Sequence, residues 1–223
     1  MAQIGIHGMI GMAVRKWVPE RTWLMLGIVL GSLVPDLDNL AVAIATITKH
    51  TTEGLHRTLT HSLVFIASIL VIFYLISKVS SNKNWWNMGL GMGLGVLMHI
   101  LLDLLIWFNG VALFWPLPVW INLWTNVTPP DLWMKLMDPA EMLCLALFFF
   151  TLDIAARRRK TDAAFLKALR VWTGIEAFLF IVLTILLFTL GKIFYTINGA
   201  VYLFSIVLSI CIIIRMRRTI EAI

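Results

Sequence analysis

Runs of apolar residues long enough to cross a bilayer constrain this chain more than any other feature. A hydrocarbon core takes a helix of about 20 apolar residues, and residues 59–79, 86–107, 171–190 and 195–214 meet that length. Residues 139–156 reach it marginally. Two earlier stretches, 4–17 and 22–34, are too short to span unaided, and Pro35 closes the second. The expected fold is an all-α, polytopic transmembrane helical bundle of about five full spans plus two short N-terminal helices. With 60% hydrophobic and 13% charged residues, against about a quarter charged in soluble domains, the chain is not a soluble enzyme, a disordered segment or a disulfide-stapled module. Cys144 and Cys211 lie inside apolar runs and read as small hydrophobes. Residues 1–155 are expected to form one membrane domain, and 156–223 a basic loop plus a C-terminal transmembrane hairpin.

The basic residues predict an orientation. Fourteen of the eighteen Lys and Arg, among them Arg15, Lys16, Arg21, Lys78, Lys83, the Arg157–Lys160 run and the Arg215–Arg218 tail, fall on one side if the helices alternate. An excess of Lys and Arg marks the cytoplasmic side, so the C-terminus is expected in the cytoplasm of a bacterial- or archaeal-type inner membrane. The net charge of +6 is then mostly topology. Nucleic acid is not an expected partner, since no recognition fold accompanies the charge.

Ionisable residues in or beside membrane segments are costly and are functional candidates by default. Here they cluster: His7 in the first helix, Asp36 and Asp38 after the second, His56 to His61 before the third, and His99 and Asp103 late in the fourth. The predicted topology brings every cluster to the outer end of the bundle. His99 and Asp103 are four apart and share a helical face. Pro35 lets Asp36 and Asp38 turn inward. His with Asp and no Cys is the ligand mix of a hydrolytic metal site rather than a structural zinc site. Three carboxylates opposed only by Arg57 would repel one another, and one or two dications would relieve that.

Other residues have plainer readings. His50 sits in a Thr-rich loop and is expected to be solvated. Asp138, Pro139 and Glu141 look like N-cap, N1 and N3 of a helix start, although Glu141 lies on the site side and is kept as a further candidate ligand. Glu176 is expected to snorkel or to pair with Arg170. Gly89, Gly91, Gly93 and Gly95 form two small-xxx-small faces for close helix contact rather than a phosphate loop. Neither Ser32 nor Ser62 sits in a nucleophile-elbow sequence.

Gly-Ser-Leu-Val-Pro-Asp-Leu-Asp (31–38), His-Arg-Thr-Leu-Thr-His-Ser (56–62), His-Ile-Leu-Leu-Asp (99–103) and Leu-Phe-Trp-Pro-Leu (113–117), after a helix carrying His7, resemble the YdjM-like family. Its members are described as LexA-binding, inner membrane-associated metal-dependent hydrolases. The resemblance covers residues 1–155 and implies a membrane-embedded hydrolase distantly related to all-helical zinc-dependent phospholipase C and nuclease folds. Carried over, His7, Asp36, Asp38, His56, His61, His99 and Asp103 would be metal-site residues. The cofactor would be one or two divalent ions, zinc foremost, with manganese or iron as alternatives. The expected activity is phosphoester hydrolysis, on a membrane lipid headgroup or a small phosphoester, at the outer interface. Arg57 would stabilise phosphate charge, and His61 or Asp38 would handle the water proton. The alternatives are a metal- or proton-coupled transporter, whose polar groups should lie at the midplane, and a non-catalytic scaffold.

Overall fold

The computed structural model describes residues 4–223. Nine α-helices lie among them: α1 Ile4–Ala13, α2 Leu24–Gly31, α3 Asp38–Ile47, α4 Leu63–Val79, α5 Lys83–Ile106, α6 Asp131–Arg159, α7 Leu166–Thr189, α8 Lys192–Arg215 and α9 Arg217–Ala222. Extended pairing among the described residues is confined to one antiparallel bridge, Val111 with Ile121. Lys83–Ile106, Asp131–Arg159, Ala163–Thr189 and Lys192–Arg215 are long and apolar enough to cross a membrane. Leu24–Gly31 and Val34–Ile47, bent by 47°, make a fifth if they act as one broken span. Packing divides the chain into two compact units, Ile10–Thr128 and the segment to Met9 with Pro129–Ile223.

In the unit of residues 10–128, glycine decides the helix spacing. A Cβ at Gly27 would stand 2.5 Å from the Met88 carbonyl oxygen. One at Gly91 or Gly95 would fall on the main chain of α2, at Leu24 and Ile28. α2 and α5 therefore meet backbone to backbone, which only small residues allow. The alternate glycines, Gly89 and Gly93, take Phe73 and Leu70 of α4 instead. Both glycine faces read from the sequence are thus used, each by a different helix. On the α4 side of α5, Ile69, Val96, Ile100, Leu104 and Val111 form a buried apolar core.

The start of α4 differs from the expected boundary. Residues 59–61 form a 3-10 turn, and Ser62 caps α4 by accepting the Phe65 N–H at 3.2 Å. A hydroxyl at the N-cap satisfies an orphan helix donor, so the polar His56–His61 segment stays outside the helix. The connection after α5 folds back on this segment: Leu63 N–H donates to Leu113 O at 3.0 Å and Ala112 N–H to Arg57 O at 2.9 Å.

In the C-terminal unit, α6 corrects a sequence expectation. It begins at Asp131, with Pro139 inside it, so Asp138 and Pro139 are not a helix start. Pro130 ends the preceding loop and Asp131 favours the positive end of the helix dipole, giving the earlier start its own signal. Pro139 lacks a donor and crowds the carbonyl four residues before it, yet apolar positions continue on both sides of it. Glu141 is fully buried and accepts the Ile4 and Gly5 N–H groups at 3.1 and 3.4 Å. It caps α1, and Gly5 lies so close to the Cys144 main chain that no side chain fits. Met142, Leu145, Phe148, Phe149 and Leu152 fill the buried side of α6.

Arg170 does not reach Glu176. It donates to Asp153 at 3.2 Å, and Asp153 also pairs with Arg157, four residues along α6. Glu176 instead accepts from Ser205 Oγ of α8 at 2.9 Å. A buried carboxylate nearer the span end takes the basic residues, and the deeper one takes a hydroxyl.

Candidate metal centre

Six of the seven sequence-predicted ligands lie in the unit of residues 10–128, and five of them converge around two imidazoles. α2 stops at Gly31, and a 3-10 turn over Val34–Leu37, with Pro35 near its start, turns the chain so that Asp36 and Asp38 are both buried. On α5, His99 lies one turn beyond Gly95, where the two backbones touch. That contact brings the His99 ring to the end of α2, with Nδ1 2.8 Å from the Ser32 carbonyl oxygen. His61, in the 3-10 turn before α4, meets it from the third direction.

The hydrogen bonds fix the tautomers. A carbonyl oxygen only accepts, so His99 carries a proton on Nδ1, and in the neutral ring Nε2 keeps its lone pair. His61 Nδ1 lies 3.0 Å from Thr60 Oγ1 and 3.4 Å from Asp38 Oδ2. Thr60 gives its hydroxyl proton to Asp38 Oδ2 at 3.0 Å, so its oxygen accepts from His61. The proton of His61 is therefore also on Nδ1. The two Nε2 atoms, each with a lone pair, face each other at 3.2 Å.

Two lone pairs at that separation repel unless a proton on one ring or a metal ion lies between them. With zinc–nitrogen bonds of about 2.0–2.1 Å, two ligands of one tetrahedral ion stand about 3.3 Å apart. The observed spacing matches. Asp36 Oδ1 lies 3.8 Å from His99 Nε2, while Asp103 Oδ2 lies 3.7 Å from His61 Nε2 and 3.8 Å from His99 Nε2. Asp36, His61 and His99 offer atoms that all fall within 4.8 Å of one another. This donor set, two imidazoles and two carboxylates, fits a divalent ion. Its burial strengthens the fit: His61, His99, Asp36 and Asp103 are fully buried, where excess negative charge is costly without a cation.

Asp38 stands behind this set. It accepts from His56 Nδ1 at 2.7 Å on one oxygen, and from Arg57 N–H and Thr60 Oγ1, both at 3.0 Å, on the other. A carboxylate that holds a ligating imidazole by its other nitrogen fixes the ring and raises its basicity. His56 is likewise oriented by Asp38, but its side chain keeps 27% of its surface exposed. Asp36, Asp38 and His56 form a second group able to hold an ion.

Arg57 is buried and held from three sides. Its Nη2 lies 3.2 Å from Asp103 Oδ2, its Nη1 donates to Asn109 O at 3.2 Å, and its guanidinium rests over Trp107 at 5.7 Å. Its φ of +60° lets the N–H aim at Asp38 while the side chain reaches Asp103. Thr60, Asn109, Trp107 and the Ser32 carbonyl were not singled out in the sequence. Thr60 alone had a signal, being next to His61 within the histidine motif; the others act through main chain or stacking, which carry no residue pattern.

His7 is buried on α1 in the C-terminal unit, as is Glu141. His50 is exposed, with Nδ1 2.9 Å from Thr48 Oγ1. Ser32 donates its hydroxyl to Val29 O at 2.8 Å and Ser62 to Leu59 O at 2.7 Å, so both serine hydroxyls serve local structure.

No curated protein and no solved structure matches the chain. The helices that could span a membrane agree with the family to which the chain is similar. Residues 1–188 match the YdjM inner membrane protein family, to which the chain belongs.

Proposed function

We propose that the unit of residues 10–128 is a metal-dependent hydrolase that cleaves a phosphoester, a lipid headgroup or a similar small phosphoester, at the outer membrane–water interface. The convergence of His61 and His99 Nε2 at 3.2 Å with two fully buried carboxylates within 4 Å of them carries this proposal. His61, His99, Asp36 and Asp103 would hold the ion. When bound, a divalent ion there, zinc foremost for two imidazoles and two carboxylates, supplies Lewis acidity toward a phosphoryl oxygen and lowers the pKa of water.

The side chains divide the remaining work. Asp38 keeps both His56 and His61 in the Nδ1-protonated form. That leaves Nε2 of His56, on a partly exposed ring, to take a proton from the attacking water and pass it to solvent. Asp36, buried beside the same ring, completes the polar wall there. Arg57 fixes Asp103 and balances its charge, so its effect on a phosphate group is exerted through that carboxylate. Leu117, Trp120 and Leu123, all exposed on the connection after α5, would let an amphiphilic substrate approach from the bilayer.

The test is metal content and turnover measured together. Detergent-purified protein should carry on the order of one or two divalent ions per chain, and His61→Ala should lose them. A panel of phospholipids and phosphodiesters should then show metal-dependent release of a phosphate-bearing product. Metal-free wild-type protein at neutral pH would sink the proposal at its base, and a loaded protein inert on the whole panel would remove the hydrolysis.

A further inference from the structure

In the C-terminal unit, where α8 gives way to α9, a cavity of about 610 Å³ is lined by Arg215, Arg217 and Arg218, with Phe165, Cys211 and Ile214 forming much of its apolar wall. Three guanidinium groups around one cavity repel one another. The one acid on its rim offsets only part of this: Asp162 is held by Thr219, its Oδ2 accepting from Thr219 N–H at 3.0 Å and from Thr219 Oγ1 at 2.9 Å. Neither Arg217 nor Arg218 has an ion-pair partner among the described residues, while Arg157 of α6 and Arg170 of α7 both pair with Asp153. Arg215 lies over the Phe165 ring at 5.9 Å, a contact that leaves the edge of the guanidinium open to an acceptor.

These arginines sit on a fixed frame rather than a loose tail. Thr219 and Ile220 of α9 are fully buried. Besides the Asp162 contacts, Thr161 and Thr219 hydroxyls meet at 2.8 Å and Arg159 donates to Ile223 O at 2.6 Å. A cationic cavity whose walls are already ordered loses little freedom when it binds an anion. Its approach is apolar. Phe204, Val207, Cys211 and Ile214 follow one another at three- and four-residue steps on α8 and are all exposed. They make a stripe along a helix able to cross a membrane, and the stripe ends at the arginines.

We propose that this cavity binds the phosphate headgroup of an anionic phospholipid, with an acyl chain lying along the Phe204–Ile214 stripe. Guanidinium forks match phosphate oxygens two at a time. The net positive charge, three arginines against one aspartate, selects a net-negative headgroup over a zwitterionic one. The stripe selects a lipid over a free phosphate ion. This lipid is a bound component of the fold, and the proposal is independent of the hydrolase reading.

Native mass spectrometry of the full chain in detergent tests it, with phosphatidylglycerol, phosphatidylcholine and inorganic phosphate added in turn. Phosphatidylglycerol should stay bound at least about tenfold more tightly than phosphatidylcholine, and inorganic phosphate should not displace it. The Arg215→Gln, Arg217→Gln, Arg218→Gln triple variant should lose that preference. Arg218→Gln alone, exposed and outside the hydrogen bonds that hold α9, should weaken it severalfold and serves if the triple variant does not fold. Arg158→Gln, exposed and outside the cavity, should leave it unchanged. Equal binding of both lipids, displacement by inorganic phosphate, or an equal loss in Arg158→Gln would each overturn the proposal.

Discussion

Asp38 touches two histidines, a threonine and a main-chain N–H, yet it is the carboxylate that stands back from the facing Nε2 pair. Asp38→Asn would keep the shape but remove the charge that holds the protons of His56 and His61 on Nδ1. Loss of such an orienting partner costs about 10–100-fold in metal affinity, so chelator competition should show an intermediate defect in Asp38→Asn and near-complete loss in His61→Ala. Equal losses in the two would place Asp38 in direct contact with the ion. Glu141 separates two roles in a similar way. Glu141→Ala leaves two buried N–H groups of α1 without their acceptor, a cost of about 1–3 kcal/mol each. The thermal midpoint in detergent should fall while metal content stays at the wild-type level; loss of metal without loss of stability would instead make Glu141 a ligand.

At the scale of elements, the glycines of α5 set the distance on which the imidazole contact depends. Gly95→Val would force α2 away from α5, with overpacking costs of about 1–3 kcal/mol. His99 sits one turn further on, so metal affinity should drop although no ligand has been touched. Gly199→Ala, where nothing lies within 4 Å, is the control and should be neutral or slightly stabilising in a melt. Preserved metal binding in Gly95→Val would show that the helix contact and the site are uncoupled. The alternating glycines were legible in the sequence because helical periodicity assigns them to two faces. The same periodicity failed at Pro139. A Pro after Asp is a strong local start signal, but a helix can absorb a missing donor when its flanks are long and apolar on both sides. The ligand clusters were legible for a related reason: polar residues are so rare here that their positions stand out. Which of them would be ligands and which supports was not legible, because that depends on which nitrogen of each imidazole faces a fixed acceptor, and main-chain acceptors such as Ser32 O leave no trace in residue identity.

At the scale of the whole molecule, charge asymmetry predicts an orientation that the helices themselves leave open. A single cysteine introduced at Glu53, in the exposed loop before His56, should react with an impermeant thiol reagent from outside intact cells, against a background in which Cys144 and Cys211 are replaced. Labelling only after the cytoplasm is opened would invert the topology and put the proposed chemistry inside. The family match over residues 1–188 extends well past the segment that holds the His/Asp cluster, so α6 and α7 belong to the common design even though none of the five converging residues comes from them. All five, from Asp36 to Asp103, lie in one uninterrupted stretch that ends before α6 begins. A chain is made from its N-terminus onward, and domains fold largely as they emerge. His61 and His99 can therefore meet while α6 to α8 are still being synthesised, so the order of manufacture alone would let the proposed ion site form before the rest of the membrane helices exist.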